Sequence, residues 1–268
     1  MIDSIRENLS YFELYARMAC NKKIVKPIKI EYGEYKEQYF LYYEPATVKS
    51  NKLIFYIHGG GWNAGSPEFF DFVGQRCIKE GYRFMSCGYR LSPKTKYPGQ
   101  IEDCVKCFEQ AMAYLERKNI DSADVIVIGP SAGAQLGSIL CYSYEFKQTK
   151  AFIGLGGPYC FDKSGLSVRM LLDMLFEKKY DRSRAEPINC VKRNDVKALL
   201  IQSRHDGVIN FDCALKMRDV LKAEGNDCEL YEVEDKHNTH SFYTAGCFML
   251  KADQNKTIRK LFEYIEKL

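Results

Sequence analysis

The sequence predicts an α/β fold, a mostly parallel sheet of eight strands with helices on both faces. Strand-length apolar runs alternate with helix-length amphipathic stretches along the whole chain, the pattern of strands returned through crossover helices. Central runs such as Leu53–Ile57 and Val125–Ile128 are apolar at every position, as strands covered on both faces must be. Two of these runs end in glycine clusters, His58-Gly59-Gly60-Gly61-Trp62 and Gly129-Pro130-Ser131-Ala132-Gly133. Sheets of this kind place their sites at the carboxyl ends of the strands, where both clusters fall.

Taken in order, the elements begin with an amphipathic helix over residues 4–20. Ser4 and Glu7 have the spacing of a capping box, and Leu9, Phe12, Leu14 and Met18 supply the apolar positions. It reads as a packing element, or as a lid over a pocket. Strands over 24–32 and 37–43, separated by Gly33, make an antiparallel start to the sheet. Further strands read at 52–57, 82–87, 123–128, 151–155, 197–203 and 228–233. Helices fall near 67–80, 99–118, 132–145, 166–179, 210–224 and 254–267, with Asn210 and Gly225 suited to the two caps of the fifth. No repeat or linker interrupts this alternation, so residues 1–268 read as one domain, with about 157–187 as a small cap insertion.

Composition narrows the function classes. The net charge is +4, with 28% charged residues and no run of one sign, which gives no footprint for nucleic acid. No apolar segment reaches membrane-span length, and Met1–Glu7 is too charged for a secretory signal. The eleven cysteines are scattered, several inside apolar or helical runs. Cys104-x-x-Cys107 has redox or metal spacing, but no second cysteine pair or nearby histidine completes it, so both read as helix-packing thiols. A reducing, cytoplasmic location is expected, with no cofactor and no metal.

The two glycine clusters carry the chemistry. The second is G-x-S-x-G between an apolar strand and a helix-like run, the setting of a nucleophile elbow. The turn is so tight that the neighbours of Ser131 must be small, which Gly129 and Gly133 satisfy. By chance a chain of this length shows G-x-S-x-G about one time in ten, and His-Gly-Gly-Gly about one time in a thousand. The rarer cluster therefore gives weight to the commoner one. A glycine triplet leaves main-chain N–H groups bare, and these, with the N–H of Ala132 at a helix start, suit a developing oxyanion.

A serine nucleophile needs a base and a group to orient it. Ser203-Arg204-His205-Asp206-Gly207 follows the strand 197–203, so Asp206 sits at a strand's carboxyl end; Asp212 falls within the next helix and is the poorer candidate. The base should follow the last strand, which leaves His237 and His240. Their three-residue spacing also suits a metal on a helix, but no further ligand completes that set.

These residues resemble the hormone-sensitive-lipase-like esterases of the α/β-hydrolase superfamily and the related kynurenine formamidases. Tyr89-Arg90-Leu91-Ser92-Pro93, Tyr97-Pro98 and Glu102-Asp103-Cys104 are similar to that family's Y-R-L-x-P…P…x-x-D segment. Gly129–Leu136 and Ala185-Glu186-Pro187-Ile188 look more like the formamidase branch. The resemblance spans about residues 40–265 and implies an α/β-hydrolase fold. It implies Ser131 as nucleophile, Asp206 as orienting acid, and the N–H groups of Gly60, Gly61 and Ala132 as oxyanion hole. His240-Ser241-Phe242 is similar to the closing H-x-F, which favours His240 as base, with His237 the alternative. Asp103 matches a bracing position.

The expected reaction is hydrolysis of short-chain carboxylic esters through an acyl-enzyme on Ser131. The alternatives are an arylformamidase and a non-catalytic small-molecule receptor on the same fold. Trp62, Met170 and Met174 are expected to wall the pocket, the two methionines from an amphipathic stretch within the cap. The expected partner is a small ester or amide, not a nucleic acid or a membrane.

Overall fold

The computed structural model describes residues 2–20, 23–120, 124–162 and 165–268. Its eight strands are β1 (Ile28–Glu31), β2 (Tyr39–Tyr43), β3 (Lys52–Ile57), β4 (Arg83–Cys87), β5 (Asp124–Pro130), β6 (Thr149–Leu155), β7 (Lys197–Gln202) and β8 (Cys228–Glu232). They form one sheet in the order β1-β2-β4-β3-β5-β6-β7-β8. β1 and β2 pair antiparallel, as does β2 with β4, and all later pairs are parallel. The fold class read from the alternation is the one observed.

The helices are α1 (Ile2–Cys20), α2 (Asp71–Lys79), α3 (Gly99–Arg117), α4 (Ala132–Ser143), α5 (Leu166–Leu175), α6 (Phe211–Ala223), α7 (His240–Thr244) and α8 (Lys256–Lys267). Successive side chains of a strand point to opposite faces, and the core divides accordingly. Leu53, Phe55, Ile57, Val125 and Val127 pack under α3, α4 and α6. Ile54, Tyr56, Ile126 and Ile128 pack on the other face, under α2 and α8. Each fully buried aliphatic or aromatic side chain contributes roughly 1.5–3 kcal/mol by leaving water, so the paired layers hold the central strands rigid beneath the site. Cys104 and Cys107 are free thiols buried in the first of these layers.

Several boundaries differ from the sequence reading. β1 begins at Ile28, one residue after Pro27, which has no N–H to give to a ladder. The strand expected over 123–128 runs on to Pro130; Ala123 lies outside the described residues. Helix α2 starts only at Asp71, because Ser66 Oγ accepts the N–H of Phe69 in a turn ahead of it. α5 stops at Leu175. α1 already includes Ile2, so Ser4 lies within the helix rather than capping it. The short helix α7 and a 3-10 turn at Gly246–Met249 had no counterpart in the expected elements. Asn210 does cap α6, its side chain accepting from Asp212 N at 2.9 Å, and Gly225 follows the helix with φ 81°.

Candidate active site

The turn that carries Ser131, the candidate nucleophile, joins β5 to α4. Ser131 has φ 51° and ψ −123°, a left-handed conformation that a non-glycine residue adopts at a cost of about 1–3 kcal/mol. Its N–H is held by Leu155 O at 2.8 Å, which ties the turn to the end of β6. The turn tolerates no bulk beside it: a Cβ on Gly133 would stand 1.9 Å from Ile57 O, and one on Gly129 would stand 2.2 Å from Gly133 O. Ala132 opens α4, and the first amides of a helix have no intrahelical acceptor.

The glycine loop after β3 packs directly on this turn. A Cβ on Gly59 would meet Pro130 O at 2.9 Å. Gly60 has φ 112°, and its carbonyl accepts from Asn63 and Ala64 N–H, which closes the loop on itself. His58 does not face the chemistry. It is buried, stacks on Tyr89 with ring centroids 4.3 Å apart, and its Nδ1 lies 2.8 Å from Gly59 O. A carbonyl can only accept, so Nδ1 carries the proton; burial pushes this imidazole down to about 4, and it stays neutral.

Asp206 lies in the loop after β7, its side chain only 1% exposed. Oδ1 accepts from the N–H groups of Val208 and Ile209, each at 2.8 Å. Oδ2 accepts from His240 Nδ1 at 2.7 Å, from Gln202 Nε2 at 3.2 Å and from the Tyr243 hydroxyl. Five donors thus fix one carboxylate. Because Nδ1 donates to Asp206, a neutral His240 has its lone pair on Nε2. Burial of this imidazole works against protonation, but the charge and hydrogen bond of Asp206, with the charge of Glu7, outweigh it and raise its pKa above the ordinary 6.5.

His240 and Ser131 line the same cavity of about 380 Å³, together with Gly59, Gly60 and Gly61. His237 does not: its ring stacks on Phe242 at 4.7 Å and borders a separate hollow with Arg6, Ser10 and Glu13. The structure thus brings one of the two candidate histidines onto Asp206 and leaves the other outside. Asp212 is part of α6. Asp103 is buried and accepts from Arg90 N, the Arg90 guanidinium and Gln38 Nε2, bracing the loop after β4. Among the described residues no three His, Cys, Asp or Glu side chains are grouped to hold a metal ion. None of the described helices is long and apolar enough to cross a membrane.

The expected pocket wall is corrected. Trp62, Met170 and Met174 do not line the cavity. Trp62 is 2% exposed and gives its indole N–H to Gln135 Oε1 at 3.0 Å, so it is committed to the core beside the elbow. In α5 the buried stripe is Val168, Leu172 and Leu175, which turns Met170 outward to solvent; Met174 gives only its carbonyl, to Lys96 Nζ. The same helix presents Leu171 to the cavity instead. Aromatic and aliphatic walls also come from Tyr11, Leu14 and Tyr15 of α1, and from Phe69 and Phe70. Sequence reasoning gave α1 no residue in the site, although Tyr11, Leu14 and Tyr15 stand at the i, i+3, i+4 spacing of one helical face. Tyr243 and Glu7 were also missed. The Tyr243 hydroxyl reaches Asp206, and the Glu7 carboxylate, read as a capping-box member, accepts instead from the N–H groups of His240 and Ser241.

Sheet order, elbow and glycine loop together define the chain as having the α/β-hydrolase fold, and its residues 41–155 match the BD-FAE family model. A kynurenine formamidase from Meyerozyma guilliermondii is 28% identical over 192 residues, covering 64% of this chain and 71% of that one. Among solved structures, the Francisella virulence factor BioJ superposes with a TM-score of 0.80 at 20% identity, covering 98% of this chain and 91% of that one. An esterase from Pyrobaculum calidifontis superposes with a TM-score of 0.79 at 19% identity, covering all of this chain and 93% of that one. Other curated relatives, at 30–36% identity, align over 89–102 residues and so over only 11–32% of their own length. The resemblance read from the motifs, to esterases and kynurenine formamidases of this superfamily, agrees with these likenesses.

Proposed function

We propose that the protein is a serine hydrolase that cleaves short-chain carboxylic esters through an acyl-enzyme on Ser131. The observation that carries this reading is that the Asp206–His240 pair, the Ser131 turn and the glycine loop open onto one cavity. His240 Nε2 takes the Ser131 proton as Oγ attacks the carbonyl carbon. The oxyanion is held by the N–H groups of Gly60, Gly61 and Ala132; removing one such donor costs about a hundredfold or more in rate. The imidazolium, steadied by Asp206, returns its proton to the leaving alkoxide. Water then repeats the sequence on the acyl-enzyme, with His240 again as base. The chain acts as one domain, in which α1 and, through Leu171, α5 cover the pocket.

The size of the cavity supports a small acyl group, and the wall of Tyr11, Phe69, Phe70 and Leu171 supports an apolar one. The test is hydrolysis of a p-nitrophenyl ester series from acetate to decanoate. The wild type is expected to fall off beyond short chains, and Ser131→Ala to lose about 10⁵-fold in kcat. Undiminished turnover by Ser131→Ala would refute the assignment.

A second reading, hydrolysis of an aryl formamide, draws support from the kynurenine formamidase aligned over most of both chains. It uses the same groups, with His240 protonating an amine instead of an alkoxide. N-formylkynurenine assayed beside p-nitrophenyl acetate separates the two, because strong turnover of the formamide alone removes the ester reading.

A further inference from the structure

Glu7 is a carboxylate in an unusual place. It belongs to α1, yet it is only 4% exposed and is separated by more than two hundred residues from its partners. Oε2 accepts the N–H of His240 and Oε1 the N–H of Ser241, each at 2.7 Å. Burying a carboxylate is costly unless its oxygens are hydrogen-bonded, and here two main-chain donors satisfy one oxygen each. Docking of α1 has other support: Ser10 Oγ lies 2.6 Å from Ser241 Oγ, and Arg6 donates to Asn238 Oδ1 at 2.9 Å. A helix needing only to be fastened there has these groups for the purpose, and an apolar face besides. The carboxylate does something these do not. It grips the main chain that carries the imidazole, while Asp206 holds the ring itself, and it brings a second negative charge to a ring that becomes cationic during the proposed reaction.

We propose that Glu7 is a positioning residue for the base. By holding the His240–Ser241 main chain it sets the height and tilt of the imidazole between Asp206 and Ser131, and its charge stabilises the imidazolium formed as Ser131 attacks. This rests on the serine-hydrolase reading. Base alignment is thereby coupled to the wall of the pocket, since the helix that bears Glu7 also bears Tyr11, Leu14 and Tyr15.

The titratable groups facing His240 are Asp206 from the loop after β7, Glu7 and Tyr11 from α1, and Tyr243 from α7. Burial first, then the nearby carboxylates, pushes Tyr11 up to about 12 and Tyr243 well above its ordinary range, so both stay neutral near pH 7. The charges that act on the ring are those of Asp206 and Glu7, and both raise its pKa. Loss of the Glu7 charge therefore lowers that pKa and moves the acid limb of the kcat/KM profile to lower pH.

The experiment is steady-state kinetics against pH with p-nitrophenyl acetate for wild type, Glu7→Gln, Glu7→Asp, Ser10→Ala and Ser131→Ala. Glu7→Gln is expected to lower kcat by about ten- to a hundredfold, the scale of a small misplacement of a catalytic group, with KM within about threefold and the acid limb shifted down. Glu7→Asp keeps the charge but is too short for both amides, so kcat falls while the limb stays in place. Ser10→Ala loosens the docking alone and leaves the limb where the wild type has it. A Glu7→Gln enzyme with wild-type kcat, or with only KM raised and the limb unmoved, overturns the proposal and leaves α1 as a plain wall. If Glu7→Gln does not fold, Glu7→Asp decides, and wild-type kcat in that variant overturns it. Full activity in Ser131→Ala instead removes the serine reading itself, so the two failures are distinct.

Discussion

The two halves of the candidate site, that of the proposed nucleophile and that of the proposed base, are built in opposite ways. The elbow at Ser131 and the loop at Gly59–Gly61 hang from β5 and β3, neighbouring strands buried on both faces, and lock each other through main-chain contact. Their geometry is stored in backbone sterics close in sequence. The base half has no such frame. His240 sits on a five-residue helix after the last strand, held by Asp206 from one loop and Glu7 from the far end of the chain. Its geometry is stored in side-chain hydrogen bonds between distant segments. Rigidity of the first kind resists substitution of charge but not of volume; rigidity of the second kind does the reverse.

That contrast can be broken deliberately. On the base side, Asp206→Asn keeps the shape but reverses the hydrogen-bonding demand on Nδ1, and a loss of about 10³–10⁴-fold in kcat is expected with little change in thermal midpoint. A loss under tenfold would mean that Asp206 does not orient the base. On the nucleophile side, Gly133→Ala drives a Cβ into Ile57 O, so the turn must open. A stability loss of about 1–3 kcal/mol by urea unfolding is expected, accompanied by a fall in kcat, because strain and chemistry share the same atoms. Tyr243→Phe removes one of the five donors to the Asp206 carboxylate and leaves four. A drop of about three- to tenfold in kcat with KM unchanged sharpens the comparison, as one bond among several is lost. His237→Ala, whose ring faces a different hollow, is expected to stay within about twofold of wild type; a larger loss would move the base assignment towards it.

The same contrast explains what was legible in the sequence. Glycines flanking Ser131 and the triplet after His58 are demanded by local sterics, and local demands leave local signatures. The strand and helix order was readable for the same reason, because burial on both sheet faces writes continuous apolar runs. The choice between His237 and His240 could not be made from residue spacing, since it depends on where a loop with few apolar anchors settles. Glu7 looked like a capping residue because Ser4 stands three positions before it; nothing nearby says that its acceptors are needed by amides at positions 240 and 241. Met170 and Met174 were placed in the pocket from amphipathic spacing alone. That spacing identifies a buried stripe but not which neighbour looks along the cavity, and Leu171 does.

The pairing of Glu7 with residues 240 and 241 also has a meaning in time. Translation makes α1 more than two hundred residues before its partners at 240 and 241, so its hydrogen bonds to the main chain there cannot form until residue 241 has been made. Contacts so distant along the chain are slow to close, and the parallel sheet between them must order first. Closing this pair is therefore a late step of folding, and a chain still short of residue 240 carries the Ser131 turn without the imidazole that shares its cavity.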